Sequence, residues 1–143
     1  MCLDSPAHKP DLHKPVSLYP CHNQGGNQYW LLSKEGEIRR DEACLDYSGK
    51  DVILYPCHGS RGNQLWIYDP STKQIKHGSS GKCLQMSSTN PDTLVMNICN
   101  NINSIHHTSR NGDNGHDTYH RNDYRNQMWL FEHFDESKFV KLV

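Results

Sequence analysis

The chain has 143 residues, 15 basic and 16 acidic side chains, and a formal net charge of −1. This length allows one domain with a modest core, and the balanced charge excludes the strong basic field typical of proteins that bind nucleic acid or anionic membranes. The chain contains no run of about 18 apolar residues that could span a membrane. Three tryptophans, seven tyrosines and six cysteines instead predict a folded, crosslinked domain.

Short β-rich segments alternate with turn residues along the chain. Strands are predicted for "VSLYPC" (16–21), "DVILYPC" (51–57), "NQLWIYD" (63–69) and "TLVMNIC" (93–99). Hairpin turns are predicted for "SKEG" (33–36), "DPSTK" (69–73) and "GSSGK" (78–82). Because no window has a helical period, the sequence predicts an all-β protein.

One set of short motifs occurs three times along the chain and divides it into three units. The first unit contains "CLD" (2–4), "YPCH" (19–22) and "GNQYW" (26–30); the second contains "CLD" (44–46), "YPCH" (55–58) and "GNQLW" (62–66); the third contains "CLQ" (83–85), "NICN" (97–100) and "NQMW" (126–129). Three units are fewer than the blades of a usual propeller. The repeat therefore favours one closed body built from three related parts.

These motifs resemble the ricin B-type lectin family. The amino acids in these motifs are most similar to those of the lectin domain that follows the catalytic domain in polypeptide N-acetylgalactosaminyltransferases. The resemblance covers nearly the whole chain, except for about residues 101–125 and the tail after Phe131. It implies an all-β β-trefoil in a single domain over 1–143, with pseudo-equivalent lobes α, β and γ at about 1–40, 41–79 and 80–143.

The six cysteines fall into pairs within the units. Local pairing is the simplest connectivity, and it joins Cys2 to Cys21, Cys44 to Cys57 and Cys83 to Cys99. Zinc ligation would need closely spaced pairs such as C-x2-C, which are absent. Disulfides imply an oxidising compartment, yet the start "MCLDSPAHKP" has no signal-peptide pattern. We therefore expect a leader outside this sequence, with Met1 marking the start of a fragment.

The residues repeated in every unit are expected to be structural. Trp30, Trp66 and Trp129 stand in apolar strand contexts and are assigned to the core rather than to a ligand. The glutamines that precede them by two positions are expected to hold a turn against backbone groups; they are Gln28, Gln64 and Gln127.

A sugar site needs a carboxylate or amide for vicinal hydroxyls and an aromatic face for the apolar side of the ring. The family pattern implies that in the second lobe Asp46 accepts from two hydroxyls and Tyr55 stacks on the sugar. His58 contacts the sugar or its acetamido group, and Asn63 hydrogen-bonds the hydroxyl edge. The equivalents in the first lobe are Asp4, Tyr19, His22 and Asn27. The alternative is that these residues recur only because the turns recur, with aspartate capping a loop and tyrosine filling a groove.

The third unit departs from this pattern at the sugar-binding positions. Gln85, Asn97 and Asn100 replace the aspartate, the aromatic residue and the histidine, whereas the cysteines, Gln127 and Trp129 remain. The sequence therefore predicts that the third lobe is scaffold without a carbohydrate site, although Asn126 leaves a weak one open.

The insert at about 101–125 is polar and rich in glycine and asparagine, so it is predicted to be a long exposed loop. His116 and His120 have the spacing of a metal pair on a helix, but the surrounding residues oppose a helix. "NGDNGHD" also fails the calcium-loop pattern at Gly115. We expect a loop without metal that faces a peptide substrate or an adjoining domain. Protonation of its histidines in a mildly acidic Golgi would make it more basic; they are His106, His107, His116 and His120.

Catalysis is not expected in this chain. The candidate carboxylates belong to separate units, which is unsuitable for a glycosidase pair, and no nucleophile motif or phosphate loop is present. We therefore predict a non-catalytic module that binds GalNAc on O-glycosylated, mucin-type peptides. The alternatives are a β-trefoil scaffold for protein interaction and a galactose-binding module attached to a glycosidase.

The resemblance also implies the setting of the module. A preceding catalytic domain of the same chain would transfer GalNAc from UDP-GalNAc, using manganese, whereas this domain would need no cofactor. The expected location is the Golgi lumen. The expected partners are GalNAc-bearing glycopeptides or mucins and the catalytic domain, with no nucleic acid and no direct membrane contact.

Overall fold

The structure is a computed structural model that describes residues 1–6, 12–101 and 125–131. Within these ranges it contains ten short strands and three single-turn 3₁₀ helices, and no α-helix. The strands are β1 Cys2–Asp4, β2 Ser17–Tyr19, β3 Leu31–Leu32, β4 Ile38–Arg40, β5 Ala43–Tyr47, β6 Val52–Pro56, β7 Trp66–Asp69, β8 Gln74–His77, β9 Cys83–Met86 and β10 Leu94–Asn97. The predicted all-β class is confirmed.

The strands form three antiparallel sheets. β1 pairs with β2, while β3-β4-β5-β6 and β7-β8-β9-β10 each form a four-stranded sheet in chain order. Each four-stranded sheet joins the last hairpin of one unit to the first hairpin of the next. The described part of the chain has no helix long and apolar enough to cross a membrane.

The hydrophobic core includes the middle residue of each Cys-Leu-Asp or Cys-Leu-Gln triplet. Leu45 and Leu84 are fully buried, and Leu3 is nearly so. Because successive side chains on a strand point to opposite faces, an inward leucine turns the flanking cysteine and aspartate to the other side. The same alternation therefore supplies both the core and the residues of the candidate site.

The tryptophans pack as expected. Trp66 is buried, and Trp30 and Trp129 are partly buried against the core. Each indole N–H also donates a hydrogen bond of 2.9 Å to the backbone carbonyl of the triplet leucine in its own unit. These pairs are Trp30 with Leu3, Trp66 with Leu45 and Trp129 with Leu84. A polar tip that is satisfied internally suits a core residue better than a sugar-binding one.

Each disulfide joins the two cysteines of one unit. The bridges are Cys2–Cys21, Cys44–Cys57 and Cys83–Cys99, with Cα–Cα distances of 5.1, 5.1 and 5.0 Å. Glu37 lies close to the sulfurs of the middle bridge. Since those sulfurs are bonded to each other, they are not the thiolates that would bind a metal.

The turns agree with prediction at residues 33–36, 69–73 and 78–82, which connect β3 to β4, β7 to β8 and β8 to β9. One strand prediction is wrong at its start, because Gly62–Gln64 forms a 3₁₀ turn and β7 begins only at Trp66. Arg61 and Gly62 have φ values of 60° and 50°, which reverse the chain here. Residues 102–124, which hold most of the predicted loop and its histidines, lie outside the described residues.

Gly36 gives a test of how tightly the units pack. It has φ +84°, and a Cβ there would lie 2.6 Å from Leu65 Cδ1 and 3.0 Å from the Trp66 carbonyl. We expect Gly36→Ala to lower the free energy of unfolding by about 2–3 kcal/mol, from backbone strain plus overpacking. The control is Gly81→Ala, at φ +73° with no atom within 4 Å of the added Cβ. Equal losses for the two variants in urea unfolding would contradict the packing contribution.

Candidate functional site

Strand register brings together the predicted aspartate and tyrosine of each of the first two units. In the second unit Cys44 pairs with Tyr55, so Tyr55 shares a face with Asp46 and lies diagonally across from it. In the first unit Cys2 pairs with Tyr19, which gives Asp4 the same diagonal neighbour.

The glutamine of the 3₁₀ turn fixes the aspartate. Gln64 is 1% exposed. Its Nε2 donates to Asp46 Oδ2 and to the Pro56 carbonyl, both at 3.1 Å, and its Oε1 accepts from the His58 N–H at 3.2 Å. One amide therefore connects the aspartate, the loop of His58 and the turn that carries Asn63.

The first unit repeats this network. Gln28 Nε2 donates to Asp4 Oδ2 at 3.0 Å and to the Pro20 carbonyl at 3.1 Å, and Gln28 Oε1 accepts from the His22 N–H at 3.1 Å. The predicted role of the glutamines as turn holders is thus correct as far as it goes. The prediction missed that they also hold the carboxylates.

The third unit keeps the network without a carboxylate. Gln127 Nε2 donates to Gln85 Oε1 at 3.0 Å and to the Ile98 carbonyl at 2.9 Å, while its Oε1 accepts from the Asn100 N–H at 2.8 Å. Gln85 therefore replaces the structural function of aspartate and offers a neutral amide in place of a charged acceptor.

The two histidines have a defined tautomer when neutral. His58 Nδ1 accepts from the Ser60 N–H, and His22 Nδ1 accepts from the Gln24 N–H, each at 3.0 Å. The neutral ring must then carry its proton on Nε2. Each exposed imidazole consequently offers one N–H donor to a ligand.

The predicted sugar-binding residues of the second unit differ in solvent exposure. Asp46 is 7% exposed, whereas Tyr55 is 39% exposed, and His58 and Asn63 are also exposed. His13 reaches from the first unit and packs edge-on against Tyr55, with ring centroids 4.7 Å apart. The second site therefore combines a buried carboxylate on β5 with an exposed ring on the paired strand β6, an exposed imidazole just after β6, and an exposed amide in the 3₁₀ turn.

The first site is more open. Tyr19 is 61% exposed, Asp4 is only partly buried, and His22 and Asn27 are exposed. A cleft of about 470 Å³ lies beside this unit and is lined by Gly26, Tyr29, Leu31, Arg39, Arg40 and Asp41. None of the eight predicted sugar-binding residues lines this cleft.

Two residues that the sequence did not indicate contact backbone carbonyls in or next to the 3₁₀ turns of the first two units. Arg40 donates to the carbonyls of Gly26 at 2.9 Å and Tyr29 at 3.1 Å, and also to that of Ser5. His77 Nε2 lies 2.9 Å from the Asn63 carbonyl oxygen. Burial lowers the pKa of Arg40, and Asp41 and Asp4 partly oppose this. Burial also lowers the pKa of His77, against the hydrogen bond to Asn63 and the charge of Asp46.

The chain is similar in sequence to known proteins. The model of the ricin-type beta-trefoil lectin domain family matches residues 1–107. The chain is 51% identical over 137 residues, 96% of its length, to the Drosophila melanogaster protein named "Putative polypeptide N-acetylgalactosaminyltransferase 9". It is 58% identical over 86 residues, 60% of its length, to polypeptide N-acetylgalactosaminyltransferase 5 of Caenorhabditis elegans. It spans only 18% and 14% of those two proteins.

A solved structure agrees with the sequence relatives. The crystal structure of GalNAc-T7 with UDP, GalNAc and Mn²⁺ matches with a TM-score of 0.54 and 26% identity, over 59% of this chain and 16% of that one. The family match together with the small sheets and three disulfides confirms the predicted β-trefoil. The chain belongs to the ricin-type beta-trefoil lectin domain family and is a carbohydrate-binding module.

Proposed function

We propose that this module is non-catalytic and recognises GalNAc on O-glycosylated, mucin-type peptides through two sites, one in the first unit and one in the second. The observation that supports this most is that a glutamine side chain holds a carboxylate in both units: the partly buried Gln28 holds Asp4, and the buried Gln64 holds Asp46. The same position in the third unit holds the neutral Gln85.

The chemistry of each group suits a sugar with vicinal hydroxyls and an acetamido group. Asp46 accepts charge-assisted hydrogen bonds from the hydroxyls, which are stronger than neutral ones. Tyr55 covers the apolar C–H face. His58 donates from Nε2 to the acetamido carbonyl, and Asn63 bonds the hydroxyl edge. Asp4, Tyr19, His22 and Asn27 act in the same way in the first site.

The relatives support a proposal for the whole protein. We infer that the chain is the lectin part of a polypeptide N-acetylgalactosaminyltransferase, because both named relatives carry that name at 51% and 58% identity. A preceding catalytic domain would use UDP-GalNAc and manganese, and the module itself would use no cofactor. The three disulfides fit the lumen of the Golgi. The partners would be GalNAc-bearing glycopeptides or mucins.

The sharpest test replaces the aspartate of each of the first two units by glutamine, the residue that the third unit has at this position. We expect Asp46→Gln to abolish measurable GalNAc binding at the second site and Asp4→Gln to do so at the first. A single sugar binds at about millimolar strength, and loss of the charged acceptor costs about 1–3 kcal/mol. Glutamine preserves the acceptor for Gln64 or Gln28, as Gln85 does for Gln127, so the thermal melt should change little.

The measurement is an NMR titration of wild type, both single variants and the double variant with GalNAc, following the side-chain amides of Asn27 and Asn63. Undiminished binding by the folded double variant would contradict the site assignment. Equal affinity for galactose and GalNAc would favour a galactose-binding module. Absence of all sugar binding by the wild type would favour a protein-interaction scaffold.

A further inference from the structure

The connection between β1 and β2 is longer than its counterparts in the other two units. It spans residues 5–16, whereas the connection between β5 and β6 spans 48–51 and that between β9 and β10 spans 87–93. The described end of the long connection makes backbone hydrogen bonds with β6 of the second unit. The added length therefore brings residues of the first unit to the strand that carries part of the second site.

This segment lies along the outer edge of its neighbouring sheet. β6 is the last strand in the order β3-β4-β5-β6. The His13 N–H donates to the Leu54 carbonyl at 2.7 Å, and the Leu54 N–H donates to the Lys14 carbonyl at 3.4 Å. Further along, the Val16 N–H donates to the Val52 carbonyl at 2.9 Å. The main chain of 13–16 is consequently fixed beside β6.

His13 has an unusual backbone conformation and a specific ring contact. Its φ is 75°, in the left-handed region that few residues with a Cβ adopt, although histidine does so more often than most. Such a conformation persists only where the surrounding structure fixes it. The His13 ring packs against Tyr55 with centroids 4.7 Å apart and planes at 84°. This edge-on arrangement is one that aromatic pairs prefer.

The aromatic residues of the two sites therefore differ in their surroundings. Tyr55 is 39% exposed and Tyr19 is 61% exposed. Among the residues that the structure describes, no aromatic ring packs against Tyr19. A side chain that is free to change rotamer loses this freedom when a ligand packs on it, and this loss lowers the affinity. A ring that is already held by a neighbour loses less.

We propose that His13 is a positioning residue of the second site, which holds the Tyr55 ring for the sugar and so raises the affinity of that site for GalNAc. This rests on the proposed function. The energy of an edge-on aromatic pair corresponds to about a twofold to tenfold change in the dissociation constant. The second site then includes a contribution from the first unit, although His13 stands in none of the repeated motifs.

Two substitutions separate the ring contact from other effects of His13. His13→Asn removes the ring but keeps a residue type that tolerates the left-handed region. We expect the dissociation constant of the second site for GalNAc to rise about twofold to tenfold. His13→Phe keeps an aromatic ring without nitrogen atoms, so it should restore the affinity if packing on Tyr55 is what matters.

The first site is the control within the same molecule. Asp4 and Tyr19 are positioned by the pairing of β1 with β2, and Gln28 holds the Asp4 carboxylate. None of these contacts involves the His13 side chain. The dissociation constant of the first site should therefore be the same in the wild type and in both variants.

The measurement is an NMR titration of the 143-residue chain with GalNAc at one constant pH, following the ring signals of Tyr55 and Tyr19. Spectra without sugar come first. There His13→Asn should shift the Tyr55 ring signals, because a neighbouring ring is lost, and should leave those of Tyr19 in place. The thermal melt should change little, because the His13 side chain is exposed. A purely structural role would change the melt without this selective shift.

The outcomes separate the possible roles of His13. Unchanged affinity of His13→Asn at the second site, or an equal loss at both sites, would overturn the proposal. A loss that His13→Phe does not restore would also overturn it, since a direct hydrogen bond to the sugar would then be the role. If His13→Phe fails to melt cooperatively, the contact between the two rings in the sugar-bound wild type decides: its persistence supports positioning, and its loss contradicts it.

Failure of the proposed function can be recognised separately. If GalNAc binds at neither site of the wild type, the proposed function fails, and with it the effect of His13 on affinity. The spectra without sugar then still show whether His13 holds the Tyr55 ring. If GalNAc binds at both sites but His13→Asn changes neither, the proposed function stands and only the role of His13 is rejected.

Discussion

Complete reduction of the three disulfides is expected to unfold the domain. The bridges join residues separated by 19, 13 and 16 positions. For loops of this size the chain-entropy estimate is about 3 kcal/mol each, and the sum of about 9 kcal/mol is comparable with the whole stability of a small domain, about 5–15 kcal/mol. The described strands are only two to five residues long, so little regular pairing compensates for the loss.

Circular dichroism during urea unfolding, with and without reductant, measures this effect, and thiol titration shows that reduction is complete. Two double variants localise it. Cys83→Ala with Cys99→Ala should lower stability but leave sugar binding, because the third unit carries no proposed site. Cys44→Ala with Cys57→Ala should also weaken the second site, since this bridge precedes His58 directly. A cooperative melt that is unchanged after full reduction would contradict the expectation.

Gln64→Ala should be among the most damaging single substitutions in the described part of the chain. It removes three hydrogen bonds and leaves the buried Asp46 carboxylate, the Pro56 carbonyl and the His58 N–H without this partner. Stranded buried groups typically cost 1–3 kcal/mol each, and more when charged. Allowing for relaxation, we expect a loss of about 3–5 kcal/mol in the free energy of unfolding and no binding at the second site.

The matched control is Gln28→Ala, which removes the same three bonds from a more exposed network. Water can replace partners there, so the loss should be smaller. Denaturant unfolding measures both variants. A loss for Gln64→Ala no greater than that for Gln28→Ala would show that burial of the network does not set its energetic importance.

The repeat explains how far the sequence could predict the fold. The alternation around Leu18 and Leu54 predicts strands, and the structure has β2 and β6 at these positions. The start of β7 could not be predicted in the same way, because Leu65 and Trp66 make the preceding turn appear strand-like. The 3₁₀ conformation depends on the contact between Gln64 and Asp46, which are 18 positions apart, and local propensity does not include such a contact.

The candidate site was predictable only in part for the same reason. Residues such as Asp46 and Tyr55 stand in motifs that occur twice, so comparison of the units identifies them. Arg40 and His77 differ between units and contact backbone atoms 14 positions away. No repeated motif contains them. Their contacts with the turn carbonyls become visible only in the folded structure, where β4 and β8 lie next to the turns.

The exchange of aspartate for Gln85 has a consequence for how such domains diversify. Because the amide oxygen of Gln85 satisfies Gln127 as a carboxylate oxygen would, a duplicated unit can lose its charged acceptor with almost no folding penalty. The valency of a trefoil can therefore drift from three to two or one by single substitutions, without passing through an unstable intermediate. For a module that binds through two units as proposed, the number of intact units would then set the avidity, since linked contacts on one glycosylated chain multiply through effective concentration.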